Sequence, residues 1–239
     1  IKRSLQDRFD ERVDVRSFIE LTKLDRNGAI APIDVTFDIQ RAIDQLFLND
    51  STKNGPTTRV ILNFGPGEYY ISHELKIPAY CYIKGAGIDS TIIHMTGSDA
   101  YGPMLRTVDL NSTPGNYTEF AGMTYSLRPK NIVIEGITFK TDLEDSILLL
   151  DNADNVVFDK VKFEGAYTNF KIQPLGSDPA DTVVHTGVWS RSISGIHRPE
   201  NVTFESCIFY RTGFGFYSES DHDNITFNNC QFYELYDGI

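Results

Sequence analysis

The sequence predicts an all-β chain wound as a parallel β-helix with three short strands per coil, and three observations carry that prediction. A nine-residue pattern recurs four times, the apolar residues inside it alternate as strand residues do, and helical periodicity is confined to one short segment. Composition sets the outer limits. Of 239 residues, 41% are hydrophobic and 23% charged, which allows a buried core and excludes the disordered class. Sixteen Phe and 12 Tyr against 3 Met and 1 Trp lean toward strands. No run approaches the ~18 apolar residues of a spanning helix, so no membrane insertion is expected. A net charge of −11 repels phosphate backbones, so no nucleic-acid partner is expected either. The three cysteines (Cys81, Cys207, Cys230) lack CxxC spacing and the five histidines lack ligand spacing, so neither metal nor other cofactor is expected.

The repeat occupies Asn131–Phe139, Asn155–Phe163, Asn201–Phe209 and Asn224–Phe232. Each copy starts with Asn, has apolar residues one, three, six and eight places later, and ends in Phe. The copies begin 24, 46 and 23 residues apart, and the middle interval reads as two periods of 23. Alternation is the strand period, and the jump of three marks a bend that keeps both flanking strands facing one interior. A further strand per period is expected at Ile147–Leu150 and at Gly213–Tyr217. Stacked coils would place Asn131, Asn155, Asn201 and Asn224 in an internal amide ladder at one bend, and Phe139, Phe163, Phe209 and Phe232 in an aromatic stack. Cys207 and Cys230 share one column, where they read as small buried hydrophobes.

In chain order, the segment Asp34–Phe47 is the one amphipathic helix. Val35, Ile39, Ala42, Ile43 and Leu46 fall on one face, with Asp34 as N-cap. A solenoid exposes core and strand edges at its ends, and this helix is expected to close one of them. Arg59–Ile71 reads strand, Gly-Pro-Gly turn, strand, and Tyr80–His94 repeats that order. Thr96–Arg128 reads as a long loop between coils. Gly165–Glu200 reads as one irregular coil with a second excursion near residues 176–181.

Three of these stretches resemble the pectate-lyase-like right-handed β-helix proteins of bacteriophage tails, the tailspikes and related tail-fibre proteins. Ser4–Phe18 is similar to the lead-in from their virion-anchoring region, Asp38–Asp44 to their capping helix, and Val60–Ile71 with Ile83–Gly87 and Thr91–Ile92 to their first coil. The division implied is 1–18 lead-in, 19–79 capping helix and first strands, and 80–239 coils, truncated at the C-terminal end. The resemblance implies a homotrimer in the virion tail, contacts with other tail or baseplate proteins, and a role as a shaft presenting a host-receptor-binding region. Many such proteins bind or cleave a host surface polysaccharide, which makes a polysaccharide depolymerase (hydrolase or lyase) the alternative.

Hydrolysis of a glycosidic bond needs two carboxyl groups about 5 to 10 Å apart, one of them held protonated. Neighbouring coils can supply this spacing, since stacked strands lie about 4.8 Å apart. Three acidic groups are candidates: the column Glu135, Asp159 and Glu205; Glu219, Asp221 and Asp223 around His222; and Asp142, Glu144 and Asp145. Of these, Glu205, Asp159, Glu219 and Asp221 are the catalytic candidates. Tyr167, Trp189, Tyr210 and Tyr233 are candidate sugar-stacking aromatics.

Overall fold

The computed structural model describes residues 12–20, 23, 33–48, 60–96, 102–118, 125–143, 146–166, 186–191, 198–218 and 222–235. Strands from successive coils build three parallel sheets. The first holds Arg12–Asp14, Ile61–Asn63, Tyr82–Lys84, Lys130–Glu135, Asp154–Asp159, Glu200–Glu205 and Asp223–Asn228 in that spatial order. The second holds Gly67–Ile71, Thr91–Met95, Thr138–Thr141, Lys162–Glu164, Ile208–Tyr210 and Gln231–Tyr233. The third holds Leu75–Ile77, Leu105–Thr107, Leu148–Asp151, Thr186–Arg191 and Phe214–Ser218. Each strand pairs only with the strands one turn before and after it in its own sheet, so the chain is a parallel β-helix, right-handed as crossovers between parallel strands are.

The repeat supplies the core. Ile132, Ile134, Ile137 and Phe139 are buried, as are Val156, Phe158, Val161 and Phe163, and Val202, Phe204, Cys207 and Phe209. Phe139, Phe163, Phe209 and Phe232 stack in one column, with successive ring centroids 6.3, 5.1 and 4.6 Å apart. A second column, Phe158, Phe204 and Phe227, runs beside it at 5.0 and 4.8 Å. Edge-to-face contacts such as Phe158 on Phe163 at 5.7 Å lock the two columns together.

Three expectations need correction. The 46-residue interval is one turn, because Val156 pairs directly with Val202 and Asp159 with Glu205. The surplus residues fall in the connections between sheets, chiefly 165–185 and to a smaller extent 192–199, and the first sheet has no strand between Asp154–Asp159 and Glu200–Glu205. The stretch 96–128 is not loop throughout, since Leu105–Thr107 pairs with Leu75–Ile77 on one side and with Leu148–Leu149 on the other. The excursion at 176–181 lies outside the described residues. The third correction concerns the asparagines. They share one register column, but Asn155, Asn201 and Asn224 are exposed and Asn131 is half-buried, so the column lines the outside of the bend. Asn155 donates to Asn131 at 2.6 Å and Asn224 to Asn201 at 2.9 Å, while Asn201 donates to Asp154 at 3.0 Å and breaks the ladder. What the four have in common is the backbone, with φ between 53° and 57°. Asparagine tolerates this left-handed conformation better than most residues, and the bend needs one such residue per turn. The next bend makes the same demand of Gly136, Lys160, Ser206 and Asn229.

The N-terminal end of the solenoid is closed sheet by sheet. Arg12–Asp14 covers the edge of the first sheet by pairing with Ile61–Asn63. Thr36–Ile43 is α-helix and Asp44–Leu48 a π-helical turn, with Val35, Ile39, Ala42, Ile43 and Phe47 sealed into the same core as Leu62, Ile71 and Leu75. The π turn rotates the register, so Phe47 takes the inward position and Leu46 is only partly buried. Asp34 serves the helix start, although Val35 holds the cap position: its Oδ1 accepts from the Thr36 amide at 2.9 Å. The edge of the second sheet is met by the Val35 amide on the Tyr70 carbonyl (2.8 Å) and by Thr36 Oγ1, which accepts from the Ser72 amide at 2.8 Å. On the third sheet, Gln40 accepts from the Lys76 amide at 2.8 Å and donates to its carbonyl at 3.2 Å. Edge groups that would template another strand are thereby occupied.

Candidate functional site

Outward side chains of the three sheets form columns running along the solenoid, and one column on each of the first two sheets holds candidate site residues. On the first sheet, Lys84, Glu135, Asp159, Glu205 and Asn228 stand in register. Adjacent carboxyl groups are therefore one strand apart, about 4.8 Å along the axis. Lys84 Nζ lies 2.6 Å from Glu135 Oε1, and the Tyr82 hydroxyl donates to Oε2 at 2.7 Å. The Lys84 ammonium, helped by Tyr82, holds the Glu135 carboxyl below its ordinary range against the opposing effect of burial. In turn the Tyr82 phenol is pushed up to about 12, by burial first and by the Glu135 charge second. Glu135 is thus a fixed anion. Asp159 meets Lys160 at 3.4 Å, and Glu205 accepts from Ser206 at 3.3 Å and from Asn229 at 3.4 Å.

Linkage gives this pair a measurable signature. A carboxyl with a depressed folded-state pKa adds stability above the unfolded value of ~4.3, and that contribution is lost as pH falls through the folded value. Glu135→Gln is therefore expected to flatten the fall in stability below about pH 4.5 while leaving its slope near pH 7 unchanged. Urea unfolding midpoints at a series of pH values read this directly, and parallel curves for the two proteins would exclude it.

The second sheet carries the other column: Tyr70, His94, Lys140, Glu164, Tyr210 and Tyr233 in register. At its N-terminal end His94 is buried between two carboxylates, with Nδ1 2.7 Å from Glu68 Oε1 and Nε2 2.9 Å from Asp142 Oδ2. The Tyr70 hydroxyl donates to Glu68 Oε2 at 2.9 Å, and its ring lies 5.6 Å from that of His94. Its hydrogen bond to Glu68 pushes the Tyr70 phenol up. The imidazole thus bridges the two carboxyl groups through both of its ring nitrogens. Glu68, His94, Asp142 and Tyr70 form a short chain of ionisable groups in hydrogen-bond contact, the geometry that general acid–base chemistry requires. Further along, Lys162 pairs with Glu164 at 2.7 Å and Asp89 at 3.1 Å; these carboxylates hold its ammonium above the usual value although burial opposes them. Lys162 Nζ also sits 5.2 Å from the centre of the Tyr210 ring, and Tyr210 and Tyr233 lie 4.8 Å apart.

Among the remaining sequence candidates, Glu219, Asp221, Glu144, Asp145 and Tyr167 lie outside the described residues. Asp223 is taken by Arg198 at 2.9 Å, and His222 Nδ1 meets Ser218 Oγ at 3.2 Å. Trp189 stands on the third sheet beside Tyr217. Sequence reasoning passed over Glu68, Tyr70 and His94. The usable signal was the outward position of each in strands whose other residues point inward, with Tyr70 and His94 one coil apart. Burial pushes the Cys81 thiol well above the ordinary range and Cys207 up to about 12, which disfavours their thiolates, whereas Cys230, expected to be buried like Cys207, is only partly buried. Among the described residues no group of three His, Cys, Asp or Glu is placed to hold a metal ion, and no helix is long and apolar enough to cross a membrane.

Comparison with known proteins agrees with this architecture. ORF18 of Geobacillus virus E2 superposes with a TM-score of 0.59 at 15% identity, covering 95% of this chain and 43% of that one. The A-module of the mannuronan C-5 epimerase AlgE6 from Azotobacter vinelandii superposes with a TM-score of 0.53 at 19% identity, covering 93% of this chain and 56% of the other. The chain thus spans about half the length of either, and both likenesses establish the shared fold. No curated protein matches the sequence. Residues 32–239 match the profile of the rhamnogalacturonase A/epimerase, pectate lyase-like family. With its coils, its closed N-terminal end and its outward columns in place over that span, the chain belongs to the rhamnogalacturonase A/epimerase, pectate lyase-like family.

Proposed function

We propose that the chain is the anchor-proximal shaft of a homotrimeric phage tail component located in the virion, presenting a host-receptor-binding region. The observation that carries this reading is the way the lead-in joins the solenoid. Arg12–Asp14 is the first strand of the first sheet, and Val15 and Ile19 are buried in the common core. A load arriving through the preceding chain would pass into backbone hydrogen bonds and packed side chains rather than into a hinge. Light scattering on the full-length protein is expected to give a trimer, and immunogold electron microscopy is expected to place it on phage tails. A monomer that never labels virions would overturn the reading.

The Glu68–His94–Asp142 cluster favours a second reading, a depolymerase acting on host surface glycan. A polysaccharide lying along the axis would meet one coil per sugar, because the strand spacing of about 4.8 Å is close to the length of a sugar unit. The cluster offers an acid and a base at one end of that path, and Tyr210 and Tyr233 offer stacking faces at the other. Incubation of the full-length trimer with host capsule or lipopolysaccharide, followed by reducing-end or unsaturated-uronate detection, tests it. Loss of product in His94→Gln assigns the chemistry to the second sheet, whereas loss in Glu205→Gln or Asp159→Asn assigns it to the carboxylate column. Release unaffected by all three would assign the chemistry to other residues or to a region outside these coils.

A further inference from the structure

At the closed end of the solenoid, the capping helix, residues 73–76 and the loop at 114–117 line an open cleft of about 530 Å³. That volume lies within the usual range for small-ligand sites, roughly 300 to 1,000 Å³. Phe37 forms one rim. It is 74% exposed, although it belongs to a helix whose other large apolar residues are buried or partly buried. The His73 ring lies 6.1 Å from it, tilted by 37°, and both residues line the cleft.

The floor is polar and already ordered. Gln40 Nε2 donates to Asp44 Oδ1 at 2.9 Å, and the Tyr117 hydroxyl donates to Asp44 Oδ2 at 2.7 Å. Gln40 is itself fixed by both backbone groups of Lys76. Asp44 is 8% exposed, and each of its oxygens has taken one donor of the roughly two it can accept. Gln45 stands exposed beside it. Charges along the walls balance, with Arg41 and Lys76 against Asp44 and Glu74.

A broad aromatic face above pre-ordered acceptors and amides is complementary to a sugar, which has an apolar C–H face and a rim of hydroxyls. Phosphate-bearing ligands are disfavoured by Asp44 and Glu74 in the walls, and the balanced charge offers nothing extra to a uronate. We propose that this cleft binds a neutral oligosaccharide, with one hexose ring laid on Phe37 beside His73 and the hydroxyls of a following unit directed to Asp44 and Gln45. Because Gln40, Asp44 and Tyr117 are held before any ligand arrives, little side-chain ordering opposes binding. The inference rests on this cleft alone and stands whether or not the protein resides in a virion.

The test is saturation-transfer NMR on the full-length protein with maltotriose, cellotriose and chitotriose as probes. At least one is expected to bind. Phe37→Ala, at an exposed position that leaves the core intact, is expected to weaken that binding about tenfold, the loss of one stacking aromatic. Lys160→Ser, at the bend that follows Asp154–Asp159, is expected to leave it unchanged. Absence of binding by all three sugars, or undiminished binding to Phe37→Ala, would overturn the proposal. So would a change of oligomeric mass in Phe37→Ala, which would assign the exposed ring to a subunit contact.

Discussion

Arg128→Leu is expected to destabilise the stack of coils by about 3–5 kcal/mol, because it strands two carboxylates that face a single buried guanidinium. Arg128 is 1% exposed. Its Nη2 lies 2.9 Å from Asp154 Oδ2 and 3.0 Å from Glu200 Oε2. Asp154 and Glu200 are cross-strand partners in consecutive coils of the first sheet, so the guanidinium separates two anions that register forces together. Removing the cation leaves like charges directly opposed, each about three-quarters withdrawn from water. The urea midpoint measures the loss. In the triple variant Arg128→Leu, Asp154→Asn, Glu200→Gln most of it is expected to return, since the residual cost is then that of unpaired amides rather than charges. A single-variant midpoint shifted no further than that of Arg211→Ala, which breaks an exposed pair with Glu234 at 3.0 Å, would refute the account.

Phe163→Ala is expected to cost a similar amount, about 3–5 kcal/mol, through a cavity that the fold is poorly able to collapse. Phe163 is fully buried and its ring meets four others: Phe139 and Phe209 in its own column, Phe158 and Phe204 in the next. The backbone on either side is held by parallel pairing to Phe139 and Phe209, so the walls of the cavity are tied to the strand spacing. Phe163→Leu keeps most of the volume and is expected to lose less than half as much. Phe232→Ala, at a partly buried position of the same column, is expected to fall between the two. Denaturant midpoints of the three variants order them, and equal losses at Phe163 and Phe232 would show that depth in the column does not matter.

Much of the architecture can be read from residue spacing because each coil repeats one physical environment. Ile132, Val156, Val202 and Ile225 are apolar at the same place since all four face the same interior, and the phenylalanines recur because they stack. The asparagines were legible as a column and misread in purpose. Their periodicity records a left-handed backbone at the bend, a demand that Tyr80 meets in the coil before Asn131 with φ of 62°. The 46-residue interval was misread because a linear count cannot separate an added coil from a lengthened connection. Only the pairing of Val156 with Val202 distinguishes them.

The candidate site was far less legible than the core. Glu68, His94 and Asp142 are 26 and 48 residues apart and belong to no repeat, so nothing in their order along the chain announces the cluster. The carboxylate column was visible, but its meaning was not: Lys84 and Tyr82, which make Glu135 a fixed anion, come from a coil preceding the clear repeats.

By itself, then, the order of residues determined a coiled all-β chain, its inward faces and the helix that closes one end, because burial of apolar side chains leaves a periodic trace wherever the environment recurs. Tertiary structure alone decided how many turns those residues make and which distant polar groups meet on the outside. Outward side chains carry no periodic constraint from packing, so their partners are set by stacking register rather than by sequence distance.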